Sequence, residues 1–137
     1  LFTSFGYFSK EEEHKSVLNG FNHALKTGGL LILDYLNVPY SQTRLVTSEV
    51  VNIDNYTFVI ERDLKDGFFQ KSIRFKSPEG EDFHFIEQVR AWTANDLKIL
   101  LLDVGLQTEK IFGDYDLGDF SDESPRCIIF ARKILDL

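Results

Sequence analysis

The sequence holds a single cysteine, Cys127, in 137 residues, which excludes an internal disulfide framework and a cysteine-rich zinc site. No apolar run approaches the ~18 residues that a membrane span requires, and no stretch reads as a basic-then-apolar secretory signal. Positive charge is scarce: 15 Lys+Arg stand against 22 Asp+Glu, a formal net charge of −7. Neutralising duplex phosphates needs a basic face, and none is evident, so a nucleic-acid partner is not expected. There is no internal repeat, no low-complexity tract and no linker long enough to split domains. No glycine-rich phosphate cradle occurs, and no Ser/His/Asp or Cys/His arrangement can be placed. What is present is apolar: 43% hydrophobic and 14% aromatic residues, enough to bury a core over the ~100–150 residues of one ordinary domain. The expectation is one soluble, cytoplasmic domain over 1–137, with no membrane, nucleic-acid or metal partner.

Ser9 has the chemistry of a helix N-cap, and Glu12, three residues on, completes a capping box. Glu11, Glu12 and Glu13 complement the positive end of the helix dipole. Val17, Leu18, Phe21, Ala24 and Leu25 follow at helical spacing as one apolar face, and Gly28-Gly29 ends the helix. Leu30-Leu31-Ile32-Leu33 then reads as a strand buried on both faces. A helix followed so closely by such a strand is the unit of an α/β sheet. The strand's end, Asp34-Tyr35-Leu36-Asn37, is where such sheets place ligands.

From Gln42 to Trp92 the period changes to two. Four strands are predicted, Arg44–Ile53, Tyr56–Leu64, Phe68–Lys76 and Phe83–Trp92. Turn chemistry at Asp54-Asn55, Lys65-Asp66-Gly67 and Ser77-Pro78-Glu79-Gly80 makes them an antiparallel meander with one buried face. Thr93, with Asp96 three residues later, caps a second helix whose stripe is Leu97, Leu100, Leu101 and Val104 and whose stop is Gly105. Strands near Leu106–Phe112 and Cys127–Ile134 follow, joined by the acidic loop Gly113–Arg126.

Several residues invite a chemical reading beside a plainer one. Phe2–Phe8 packs four aromatics around Thr3, Ser4 and Gly6. These rings either pack the core under the first helix or form a ligand wall for a cation or planar ring, with Gly6 admitting close approach. His14 and His23 read as solvated positions on the first helix. His84 shares a strand face with Ile86, Gln88, Arg90 and Trp92, and reads as a surface histidine or as a general base facing a pocket. Asp114, Asp116, Asp119, Asp122 and Glu123 do not have calcium-loop spacing and read as a solvated connection. Cys127 reads as a small buried hydrophobe.

Taken in order, these residues resemble the C-terminal half of a class I S-adenosylmethionine-dependent methyltransferase. Phe2-Thr3-Ser4-Phe5-Gly6-Tyr7-Phe8 is similar to the aromatic loop after that family's fourth strand. Leu25-Lys26-Thr27-Gly28-Gly29 and Leu30-Leu31-Ile32-Leu33-Asp34 are similar to the turn into its fifth strand. Thr93-Ala94-Asn95-Asp96-Leu97 and Asp103-Val104-Gly105-Leu106 look like its next helix and the exit into the sixth strand, and Cys127–Ile134 like the antiparallel seventh. The meander, 42–92, resembles the cover that small-molecule members insert after the fifth strand.

The resemblance implies an α/β fold: the C-terminal half of a Rossmann-like sheet with an inserted four-stranded meander. The seventh strand should lie between Leu30–Asp34 and Leu106–Phe112, antiparallel to both. It also implies S-adenosylmethionine as the cofactor of the intact enzyme and in-line transfer of its methyl group to N, O or C of a small-molecule acceptor. Thr3, Ser4, Phe5, Gly6 and Tyr7 would be cofactor-binding, and Tyr35, Asn37 and Arg90 would contact substrate; no catalytic residue is assignable. The family's acidic glycine-rich loop and ribose-holding acid have no counterpart here, so the chain is expected to be a fragment or truncated reading frame, inactive alone. The exposed edge of Leu30–Asp34 implies a homo-oligomer. The alternative is a non-catalytic binding or dimerisation module derived from the same fold.

Overall fold

A computed structural model describes residues 11–135 and the side chains of residues 13–135. Ser9 and the aromatic loop Phe2–Phe8 lie outside the described residues. The chain divides into two compact units, one built from the segment up to Thr43 together with Trp92 onward, the other being Arg44–Ala91.

In the first unit the helix α1 (Glu11–Ala24) leads through the glycine turn, where Gly28 takes φ +85°, into strand β1 (Leu30–Leu36). A short helix not anticipated from the sequence, α2 (Val38–Thr43), follows. Helix α3 (Ala94–Asp103) starts on the predicted capping box: the Thr93 hydroxyl accepts from the Asp96 amide and the Asp96 carboxylate accepts from the Thr93 amide. Strand β6 (Leu106–Phe112) coincides with its predicted span, and strand β7 occupies Arg126–Lys133. The order is β1-β7-β6 with both pairings antiparallel, so β1 and β6 run parallel on either side of β7, as expected.

Alternation sorts this sheet into two faces. Leu31, Leu33 and Tyr35 of β1 stand opposite Ala131, Ile129 and Cys127 of β7, and all six are buried. Leu18 of α1 and Leu97 and Leu101 of α3 are buried in the same unit. The opposite face carries Leu30, Ile32 and Asp34, with Leu30 39% and Ile32 43% exposed. The expectation of a strand buried on both faces is therefore wrong among the described residues. A wholly apolar run states only that both faces tolerate burial, and whether they are covered depends on what packs there.

The buried line of α1 differs from the expected apolar stripe. His14 is 1% exposed, not solvated, and meets Trp92 edge to face at a 4.4 Å centroid separation. His14, Leu18 and Asn22 form the i, i+4, i+8 line that α1 buries, while Ala24, expected on the apolar face, is exposed. His23 is exposed, as read from the sequence.

The second unit is the predicted meander, β2 (Ser48–Ile53), β3 (Tyr56–Lys65), β4 (Phe68–Lys76) and β5 (Asp82–Arg90), hydrogen-bonded in that order. Asp54 (φ 52°), and Asp66 and Gly67 (φ 53° and 79°), supply the left-handed positions that two-residue hairpin loops require. One face gathers Tyr56, Phe58, Phe75, Phe83 and Phe85, whose neighbouring rings lie 5.0–6.2 Å apart. This face is half-buried to exposed rather than buried, with Phe85 54% exposed. A lone four-stranded sheet has no second layer of its own to bury one side.

Candidate active-site end of the sheet

Strand β1 delivers Asp34 to the carboxyl end of the sheet, the end at which open α/β sheets hold ligands. The pairing Asp34↔Ile128 and Leu36↔Arg126 sets Arg126 diagonally across from the carboxylate on the same face. Arg126 Nε donates to Asp34 Oδ1 at 3.0 Å, and the Tyr115 hydroxyl donates to Asp34 Oδ2 at 2.7 Å. Both oxygens of one carboxylate are thus engaged by groups far away in sequence. Ile32, Leu117, Ile128 and Phe130 complete a shallow pocket of about 370 Å³ around Asp34 and Tyr115. The bond to Asp34, reinforced by burial, raises the Tyr115 phenol above its ordinary range. Near neutral pH Tyr115 is therefore a hydrogen-bond donor and not a base.

The loop 113–126 that carries Tyr115 is itself braced. The Asp114 carboxylate accepts from the Asp116 and Gly118 amides at 2.9 and 3.0 Å, a turn made by an aspartate on its own backbone. Among the described residues no group of three or more His, Cys, Asp or Glu is placed to hold a metal. The Cys127 thiol is pushed up to about 11, mainly by burial.

The three predicted substrate residues fall in different places. Tyr35, on the core face of β1, is 2% exposed and its ring lies 6.4 Å from that of Trp92. Asn37, also 2% exposed, donates through Nδ2 to the Ser121 and Ser124 carbonyls at 2.9 and 2.8 Å, tying the end of β1 to the loop. Arg90 belongs to the meander, its guanidinium 4.8 Å from the Phe68 ring centroid. Thr3, Ser4, Phe5, Gly6 and Tyr7 lie outside the described residues. Sequence reasoning marked the end of β1 but missed the cluster of Asp34, Tyr115 and Arg126. Only the position of Asp34 at a strand end signalled it.

No family model matches the sequence, and no curated protein does. Solved structures match throughout its length. An S-adenosylmethionine-dependent methyltransferase from Clostridium acetobutylicum superposes with a TM-score of 0.74 at 18% identity, covering 94% of this chain and 54% of that one. The fold is that of the S-adenosylmethionine-dependent methyltransferases. The CcbJ methyltransferase from Streptomyces caelestis follows at 0.70 and 18%, covering 96% and 58%. The sugar N-methyltransferase KedS8 from Streptoalloteichus gives 0.65 and 17%, covering 97% and 53%. The chain thus spans about half the length of the methyltransferases it matches.

Proposed function

We propose that this chain is the C-terminal part of an S-adenosylmethionine-dependent methyltransferase acting on a small-molecule acceptor. The carrying observation is the order β1-β7-β6, with one antiparallel strand set between two parallel ones, in a chain that superposes on methyltransferases over 94% of its length. Bound S-adenosylmethionine would supply the methyl group. The pocket at the end of β1 does not by itself make a holder for it: Asp34, its one carboxylate, is already engaged by Arg126 and Tyr115, and the other walls are aliphatic or aromatic. In this reading Thr3, Ser4, Phe5, Gly6 and Tyr7 line the cofactor, with Phe5 and Tyr7 giving ring contacts, and the end of β1 and the loop 113–126 bound the acceptor side. The Arg126 guanidinium orients polar groups there, while the Tyr115 hydroxyl, its one proton given to Asp34, offers only its oxygen as an acceptor. The open face of β1, where Leu30 and Ile32 are exposed, supports self-association of the chain.

The coding sequence upstream of Leu1 tests this. An in-frame strand followed by an acidic glycine-rich loop is expected; a start codon directly before Leu1 would favour a non-catalytic module instead. Calorimetry supplies a second test. Losing the glycine-loop amides and a ribose carboxylate removes hydrogen bonds worth about 1–3 kcal/mol each, several powers of ten in affinity together. The 137-residue chain should therefore bind the cofactor at best in the millimolar range. Micromolar binding would overturn the assignment of the cofactor grip to the other half.

A further inference from the structure

The meander holds a cleft of about 550 Å³, within the size range of small-molecule sites, in which Val59, Phe75 and Phe83 stand among polar and charged residues. Its walls come from β3, β4, β5 and the turns beside them, so it belongs wholly to the second unit. Arg74 and His84 are direct cross-strand partners, and Lys76 stands two residues along the same face opposite Asp82. Asn55, Thr57 and Ser77 add neutral polar groups to the rim.

The charge here runs against the rest of the molecule. In a chain of net charge −7 the cleft lining holds Arg74, Lys76 and His84 and a single acid, Asp82. That acid offsets Lys76 weakly, since their ion pair is 3.8 Å long and both side chains are at least 72% exposed. The Arg74 guanidinium forms no ion pair among the described residues. The Ser72 hydroxyl contacts His84 Nε2 at 2.7 Å, which fixes that ring against β4 and leaves Nδ1 as its second hydrogen-bonding atom.

We propose that this cleft binds a phosphate-bearing small molecule, with Arg74 and Lys76 as its charged contacts and His84 as an additional donor. A planar guanidinium takes two oxygens of one group at once, and a lysine ammonium adds a point charge. Two fixed cations suit a dianion better than the single charge of a carboxylate. The neutral side chains Asn55, Thr57 and Ser77 leave room for hydroxyl or amide groups on the rest of the ligand. The inference rests on the second unit alone and holds whether or not the chain takes part in methyl transfer.

The test is a titration of the isotope-labelled chain with inorganic phosphate at constant ionic strength, followed by nuclear magnetic resonance. Saturable shifts are expected at Arg74, Lys76 and His84, with Arg74→Gln and Lys76→Gln each weakening binding about tenfold, the loss of one charged contact. Both side chains are exposed, and the spectra outside the cleft report whether each variant keeps its fold. Lys110→Gln, on β6 in the other unit, should leave binding unchanged. Acetate serves as the second arm and should bind more weakly than phosphate. Shifts that do not saturate, shifts that survive both cleft variants, or acetate binding as tightly as phosphate would each overturn the proposal.

Discussion

Lys133 reaches from β7 to the end of α1, where its Nζ donates to the Asn22 carbonyl at 2.8 Å and to the Leu25 carbonyl at 2.7 Å. Asn22 answers through its own side chain, with Nδ2 donating to the carbonyls of Val104 and Leu135 at 2.7 and 2.8 Å. A buried lysine thus closes the negative end of one helix, while a buried asparagine ties that helix to the end of α3 and to the chain beyond β7.

Lys133→Met keeps the aliphatic stem but removes the ammonium donor from the Asn22 and Leu25 carbonyls at the end of α1. Breaking a charged hydrogen-bond set at a residue 3% exposed should cost about 2–4 kcal/mol, seen as a lower denaturant midpoint with an unchanged slope. A loss below about 1 kcal/mol would show that the ammonium's desolvation cancels its bonds.

Asn37→Ala removes both donors that hold the loop 113–126 to the end of β1. The expected loss is about 1–3 kcal/mol, because the buried Ser124 carbonyl loses its Asn37 donor, while the part-buried Ser121 carbonyl keeps only the Ser124 amide. Limited proteolysis should cut the loop faster in the variant, and equal cutting would show that the Asp114 turn suffices to order it.

Gly105 and Gly28 both have positive φ, at 79° and 85°. A Cβ on Gly105 would sit 2.7 Å from the Leu135 carbonyl oxygen and 2.9 Å from Asn22 Nδ2, whereas one on Gly28 would meet nothing within 4 Å. Gly28→Ala should therefore cost only the conformational strain, about 1 kcal/mol, and Gly105→Ala clearly more. Thermal denaturation of the two variants side by side gives the comparison, and equal midpoints would refute the steric part.

Cys127 sets a pH dependence at the alkaline end. Its folded thiol ionises near 11, above the ordinary thiol, so above the unfolded value the unfolded state holds fewer protons than the folded one. Stability conferred by this group is complete below the unfolded value and falls as pH rises towards 11. Tyr115, also raised, acts in the same direction. Denaturation midpoints should decline through this range, and Cys127→Ala should flatten part of the decline. Alkylation by iodoacetamide should be slow in the folded chain and fast in denaturant, because the thiolate is the nucleophile.

The sequence by itself determined the local structure. The Thr93/Asp96 capping box, the stops at Gly28 and Gly105, the hairpin turns at Asp54 and Asp66-Gly67 and the period-two runs of the meander depend on neighbours within a few residues. Turn geometry and backbone sterics act at that range, so element order and hairpin pairing were legible. The position of β7 between β1 and β6 was legible through its resemblance to a known arrangement and the direct loop that precedes it. Tertiary structure alone decided the polar contacts between distant segments. The burial of His14 beside Trp92, the capping of α1 by Lys133 and the gathering of Asp34, Tyr115 and Arg126 join residues 78 (14 to 92), 108 (25 to 133) and 92 (34 to 126) positions apart. A polar side chain is buried only where distant partners match its donors and acceptors, and a one-dimensional pattern of apolar spacing contains no record of those partners. For the same reason the apolar run of β1 left open whether both its faces were covered; only the folded chain placed a core on one side and exposed Leu30 and Ile32 on the other.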